Sequence, residues 1–131
     1  MKKIFIISSI IVLLVPSLFT YAYSQNEELP TISIGDLVEL MSSEESFIIL
    51  DVRNKEELVD QLGHIKGVLN IPIHDLEKRI AELEKYKENK IIVICRSGNR
   101  SKYGTSLLLQ NSFKAFNVKG GMRAYRKIIK K

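Results

Sequence analysis

The chain has 131 residues, a formal net charge of +5 and a single cysteine. One cysteine excludes an internal disulfide framework. The excess of positive charge is small, and the sequence has no wide basic patch with interleaved aromatic residues, so nucleic-acid binding has little support.

The first 22 residues have the pattern of a secretory signal peptide. Two lysines precede an apolar run over residues 4–19, and the small residue Ala22 follows. This run is shorter than the roughly 20 apolar residues that a membrane-spanning helix needs, which favours cleavage over a permanent anchor. We therefore predict a signal peptide over residues 1–22, with cleavage after Ser24 as the alternative. The mature protein is expected to be periplasmic or otherwise secreted, without a stable membrane anchor.

The rest of the chain is predicted to contain a short linker and one α/β domain. Residues 23–30 are polar and lack a clear period, whereas residues 31–131 have the size of one ordinary domain. The apolar runs that predict strands are residues 47–50, 68–71, 91–94 and 115–118, with 91–94 as the central strand. Helices are predicted from Ser33 to Met41, from Asn54 to Gly63, from Asp75 to about Tyr86, from near Ser101, and from Met122. This alternation predicts a mostly parallel sheet with helices on both faces.

Cys95 follows the predicted central strand and precedes a helix, in the sequence Arg96, Ser97, Gly98, Asn99, Arg100 and Ser101. Ligand sites of open parallel sheets form beyond the carboxyl ends of the strands. A glycine permits a tight turn that directs backbone N–H groups inward, and the start of the helix adds its own unpaired N–H groups. With the two arginines, these donors should favour the thiolate over the thiol. The alternative is that Cys95 is only a small buried apolar residue.

Two reaction classes use a thiolate inside a loop of N–H donors. In one, the thiolate attacks the phosphorus of a phosphoryl group. In the other, it attacks the outer sulfur of a sulfane donor such as thiosulfate and keeps that sulfur as a persulfide. Cysteine-dependent phosphatases need a Cys-x5-Arg loop, whereas here the arginine is Arg100 and residue 101 is serine. The spacing disfavours a phosphatase or an arsenate reductase but leaves it as an alternative.

Several segments of the chain resemble single-domain rhodanese-like sulfurtransferases, whose typical loop is Cys-Arg-x-Gly-x-Arg followed by Ser. Residues 50–53 (Leu-Asp-Val-Arg) with Glu56 and Glu57 resemble the first signature of that family. Residues 63–72 (Gly-His-Ile-Lys-Gly-Val-Leu-Asn-Ile-Pro) resemble the second. Residues 120–125 resemble its terminal Gly-Gly-x-x-Ala-Trp, with Tyr125 in place of Trp. The resemblance implies a three-layer sandwich with a sheet of about five strands.

The resemblance also implies an activity and the residues that perform it. Cys95 would be the nucleophile that carries the persulfide, and residues 96–101 would be the cradle that binds the donor. The donor would be a small sulfur anion such as thiosulfate, and the acceptor would be cyanide or a thiol. No metal or organic cofactor is implied, because the persulfide is itself the carrier. A relay module that passes sulfur to a partner protein is the second alternative.

Three further residues are expected to support the site. Asp51 and Arg53 follow a predicted buried strand and are expected to buttress the loop through charge-assisted hydrogen bonds. His64 lies between Gly63 and Ile65, where we expect it to stabilise a turn rather than act as a base. Two histidines ten residues apart and one cysteine lack the spacing of a zinc site.

Overall fold

The computed structural model describes residues 28–129, and these form a five-stranded parallel sheet with helices on both faces. The sheet order is β1-β5-β4-β2-β3, and every pair of neighbouring strands is parallel. The strands are β1 (Thr31–Ile32), β2 (Phe47–Asp51), β3 (Leu69–Asn70), β4 (Lys90–Ile94) and β5 (Lys114–Val118). The predicted α/β class is therefore confirmed. The predicted signal peptide, residues 1–22, and most of the predicted linker lie outside the described residues.

Four α-helices and two 3₁₀ helices connect the strands within the described residues. The α-helices are α1 (Ile34–Ser42), α2 (Ile73–Arg79), α3 (Asn99–Gln110) and α4 (Gly121–Ile129), and the 3₁₀ helices are η1 (Lys55–Val59) and η2 (Ile80–Tyr86). Among the residues 28–129, no helix is long and apolar enough to cross a membrane.

Strands β2 and β4 bury side chains on both faces of the sheet, which explains why their sequences are continuous apolar runs rather than alternating ones. On one face, Leu50 and Val93 pack against Leu76 of α2 and Leu108 of α3. The opposite face is covered by α1 and α4, which contribute Leu37 and Met122 among other residues. The result is a three-layer sandwich with one apolar core on each side of the sheet.

Several element boundaries differ from the sequence-based expectation. The first strand, β1, lies in a segment for which no strand was predicted, and its pairing is short because only two residues match β5. Pro30, assigned to the linker, already accepts a hydrogen bond from the Asn117 N–H at 2.8 Å. The helix predicted from near Ser101 begins at Asn99. Gly98 takes a left-handed conformation with φ of 103°, so the turn after Cys95 is complete at residue 98 and the helix starts directly after it.

Two predicted helices are shorter or less regular than expected. The segment predicted to be helical from Asn54 to Gly63 is a 3₁₀ helix that ends at Val59. Where this helix ends, the Glu57 carbonyl accepts hydrogen bonds from both the Asp60 N–H at 3.4 Å and the Arg53 side chain at 3.0 Å. The helix predicted from Asp75 to Tyr86 begins earlier and changes to a 3₁₀ helix after Arg79, as described by α2 and η2.

Candidate active site

Cys95 lies directly beyond the carboxyl end of β4, at the base of the loop that enters α3. Its side chain is only 1% exposed. The Gly98 N–H donates to Sγ at 3.1 Å, and the Ser101 Oγ lies 3.3 Å from the same sulfur. The turn predicted from Gly98 therefore directs a backbone donor and a hydroxyl toward the thiol.

The amino end of α4 fixes the other side of this loop. The Met122 N–H donates to the Cys95 carbonyl at 2.8 Å, and the Arg123 N–H donates to the Arg96 carbonyl at 3.0 Å. The contact is possible because Gly121 has no side chain and a φ of 56°; a Cβ there would lie 2.8 Å from the Arg96 carbonyl carbon. The amino end of α4 therefore fixes the main chain of Cys95 and Arg96 at the start of the loop.

The environment lowers the pKa of the Cys95 thiol below its usual value. Burial is the largest single influence and acts to raise the pKa, since it disfavours the charged form. Hydrogen bonds from the Ser101 hydroxyl and from the N–H groups of Ser101, Gly98 and Ser97 act in the opposite direction and together outweigh burial. The direction agrees with the sequence-based expectation, and the donors are the expected backbone N–H groups together with the Ser101 hydroxyl.

Both arginines of the loop form ion pairs with carboxylates of the segment that follows β2. Arg100 forms a bidentate pair with Glu57, with nitrogen to oxygen distances of 2.6 and 2.7 Å. Arg96 donates to Asp60 through one nitrogen at 2.8 Å. The hydrogen bonds from Arg100 lower the pKa of Glu57 to about 2, so that carboxylate is charged at neutral pH.

Asp51 and Arg53 contact the segment after β2 that bears Glu57 and Asp60, rather than the cysteine loop itself. The Arg53 side chain is fully buried and forms a bidentate pair with Asp51, with a shortest distance of 2.7 Å. Its remaining donors bind the carbonyls of Glu57 at 3.0 Å and Gly63 at 2.7 Å. Asp51 and Arg53 therefore hold the segment that bears Glu57 and Asp60, and direct support of the cysteine loop stays a prediction.

His64 lies on the same segment, and its Nδ1 is 3.0 Å from the Leu58 carbonyl. The side chain is exposed, and this contact is that of a residue that stabilises a turn. Within residues 28–129, no group of three or more His, Cys, Asp or Glu side chains is arranged to hold a metal ion.

The loop residues Ser97 and Asn99 are exposed and line a cleft of about 390 Å³ whose lining does not include Cys95.

Three residues of the site were not assigned a role from the sequence. Asn117 of β5 is almost fully buried, and its Oδ1 lies 2.7 Å from the Ser101 Oγ. The available signal in the sequence was an asparagine within the predicted strand 115–118. Glu57 was noted only as part of a family signature, and Asp60 had no signal, because their arginine partners lie 43 and 36 residues away in sequence.

Comparison with known proteins gives consistent matches. A family model described as the Rhodanese-like domain matches residues 33–128. YtwF of Bacillus subtilis (strain 168), named as a candidate sulfurtransferase, is 36% identical over 98 residues, covering 75% of this chain and 91% of YtwF. YrkF of the same strain, named as a candidate sulfur carrier protein, is 41% identical over 96 residues, covering 72% of this chain. The match covers 50% of YrkF, so the chain spans half the length of that relative.

A solved structure agrees with the fold. The crystal structure of a rhodanese-related protein from Thermoplasma volcanium matches with a TM-score of 0.68 at 32% identity, over 76% of this chain and 92% of that one. The fold predicted from the sequence resemblance is thereby confirmed, and the named relatives support a transferase of rhodanese type. The chain belongs to the rhodanese-like domain family.

Proposed function

We propose that this protein is a sulfurtransferase that accepts a sulfane sulfur from thiosulfate or a similar anion and carries it as a persulfide on Cys95. The single observation that supports this most directly is the buried sulfur with the Gly98 N–H at 3.1 Å and the Ser101 hydroxyl at 3.3 Å. These donors favour the thiolate, which is the nucleophilic form of cysteine. No metal or organic cofactor is required by this proposal.

The proposed reaction has two displacement steps. The Cys95 thiolate attacks the outer sulfur of thiosulfate, a sulfur–sulfur bond forms, and the original sulfur–sulfur bond breaks as sulfite leaves with its electron pair. Cyanide or a thiolate then attacks the outer sulfur of the persulfide, and the Cys95 thiolate is released. Because both steps begin from an anion, neither requires a base to remove a proton, which fits the exposed, turn-stabilising position of His64.

The experiment uses the purified full-length protein, and Cys95→Ser is the matched control. The protein is incubated with thiosulfate and its intact mass is measured; cyanide is then added and thiocyanate is quantified. We expect the mass to increase by one sulfur atom, and this sulfur can only be on Cys95 because the chain has no other cysteine. Cys95→Ser is expected to gain no sulfur.

Other outcomes separate the alternatives. A folded protein that takes up no sulfur and forms no thiocyanate would contradict the proposal. Release of phosphate from an aryl phosphate would favour a cysteine-dependent phosphatase instead. Sulfur uptake followed by poor transfer to cyanide would favour a relay that delivers sulfur to a partner protein, in line with the carrier name of YrkF.

A further inference from the structure

The two arginines of the loop differ in how many of their donors are occupied. Both terminal nitrogens of Arg100 bind the two oxygens of Glu57. Arg96 uses one terminal nitrogen for Asp60, and its side chain remains 41% exposed. Arg96 can therefore offer further donors to a bound anion, whereas the terminal nitrogens of Arg100 already have an anionic partner.

The Glu57 carboxylate is held firmly in this position. The Asn54 N–H donates to its Oε2 at 3.1 Å, and Arg53 holds the Glu57 main-chain carbonyl at 3.0 Å. Arg53 is itself fully buried and paired with Asp51, so its side chain cannot move without breaking a buried ion pair. The Glu57–Arg100 pair is thus anchored to the buried Asp51–Arg53 pair.

Arg100 lies near enough to Cys95 for the two charges to interact. Its pKa is raised chiefly by the hydrogen bonds to Glu57, and the negative charge of the Cys95 thiolate also contributes. Arg100 directly precedes Ser101, whose Oγ lies 3.3 Å from Sγ, and its terminal nitrogens lie 2.6 and 2.7 Å from the Glu57 oxygens. A negative donor that approaches the sulfur would therefore interact with the Glu57 carboxylate as well as with the Arg100 guanidinium. The two opposite charges largely cancel, and the pair gives little net attraction for an anion.

We propose that Glu57 is a specificity-determining residue that cancels the charge of Arg100 and so limits the preference of the site for dianionic sulfur donors over monoanionic ones. This inference rests on the proposed sulfur transfer through Cys95. Under this proposal, a residue outside the cysteine loop sets how strongly the site distinguishes donors by their charge. The donors that gain relative to thiosulfate are sulfane compounds with a single negative charge near the transferred sulfur.

Two donors of nearly the same shape test this directly. Thiosulfate carries two negative charges, whereas methanethiosulfonate has a methyl group in place of one oxygen and carries one. For each donor, kcat/KM is measured with cyanide as acceptor, at low and at high ionic strength. The proteins compared are the wild type, Glu57→Gln and the control Glu56→Gln, which removes the charge of an exposed neighbour.

Glu57→Gln keeps the length and one oxygen of the side chain but exposes the charge of Arg100. We expect the ratio of kcat/KM for thiosulfate to that for methanethiosulfonate to rise about tenfold at low salt, as one additional unit of donor charge meets one uncompensated positive charge. High salt should reduce this increase because the pair is partly exposed. Glu56→Gln should leave the ratio within about twofold of the wild type.

The outcomes distinguish this inference from the proposed function. If the wild type accepts sulfur from neither donor, the proposed function itself fails. If the wild type is active and Glu57→Gln leaves the donor ratio unchanged, the inference is wrong and the proposed function stands. An equal loss with both donors would mean that Glu57 only positions Arg100, and this also overturns the inference.

Discussion

Replacing Ser101 with alanine tests what makes Cys95 reactive. The Ser101 Oγ lies 3.3 Å from Sγ, 2.7 Å from Oδ1 of Asn117 and 3.1 Å from the Gly98 carbonyl. Its one hydrogen can be donated to only one of these atoms at a time. When Cys95 is a thiolate, donation to the sulfur stabilises the charged form and lowers the pKa, so Ser101→Ala should raise the pKa.

The magnitude follows from the competition for that hydrogen. A hydrogen bond to a charged group contributes about 1.5–3 kcal/mol, and the bond to a neutral acceptor that is given up contributes about 1 kcal/mol. The net loss in Ser101→Ala is about 1.4 kcal/mol, which lowers the thiolate population about tenfold at a pH below the pKa. A more basic thiolate is also a better nucleophile, so the alkylation rate should fall only about three- to fourfold.

The assay is the rate of alkylation of Cys95 by iodoacetamide as a function of pH, which has no background because the chain has one cysteine. Ser97→Ala is the control, since the Ser97 side chain is exposed while its N–H, which the substitution keeps, is one of the donors to the sulfur. We expect the midpoint to move upward in Ser101→Ala and to stay in place in Ser97→Ala. Coincident profiles for Ser101→Ala and the wild type, in proteins with the same circular dichroism, would refute the reasoning.

Two further substitutions test the Glu57–Arg100 ion pair and the loop clamp, which is the pair of hydrogen bonds from the amino end of α4 to the carbonyls of Cys95 and Arg96. The folded-state pKa of Glu57 is about 2, against an ordinary value of 4.5, so its stabilisation is fully present above about pH 4.5 and is lost as the pH falls toward 2. Urea unfolding should show Glu57→Gln less stable than the wild type by about 1 kcal/mol at neutral pH, and this difference should shrink as the pH falls through about 2. A stability difference of the same size in acid, near the folded-state pKa of about 2, as at neutral pH would contradict the assignment. Gly121→Ala should destabilise the protein by at least about 2 kcal/mol in the same measurement, because φ is 56° and the new Cβ meets the Arg96 carbonyl group. Gly35→Ala is its control and should be neutral or stabilising by up to about 1 kcal/mol, since the nearest atom to its Cβ is 3.5 Å away; equal losses in both variants would disprove the clamp.

The features that sequence analysis predicted well are those set by local pattern. The apolar runs of β2 and β4 identify strands buried on both faces, and the position of Cys95 after β4 follows from the end of such a run. Gly98 predicts the tight turn because a positive φ is accessible to glycine. Local chemistry of this kind is contained in a few consecutive residues, and it does not depend on distant parts of the chain.

The features that sequence analysis missed depend on contacts between distant residues. Strand β1 has only two residues, and it forms because β5 offers a free edge with hydrogen-bonding groups. The partners of Arg96 and Arg100 are also distant in sequence, and no spacing rule connects an arginine of the cysteine loop to a particular acidic residue of η1 or the turn after it. Even the correct expectation of a lowered Cys95 pKa relied partly on positive charges that the fold neutralises.

The occupied guanidinium of Arg100 adds a physical reason to the spacing argument against phosphate chemistry. Arginine binds phosphoryl oxygens best when two parallel N–H groups of its planar fork are free to donate to them. Here both terminal nitrogens bind Glu57, whose main chain is in turn fixed by the buried Arg53. To close a ring around a phosphoryl group, Arg100 would have to bind it beside the Glu57 carboxylate, which is charged at neutral pH and would repel the phosphoryl oxygens. The proposed transfer of a sulfur atom needs no such ring, because it begins from the Cys95 thiolate, which the Gly98 N–H and the Ser101 hydroxyl already stabilise.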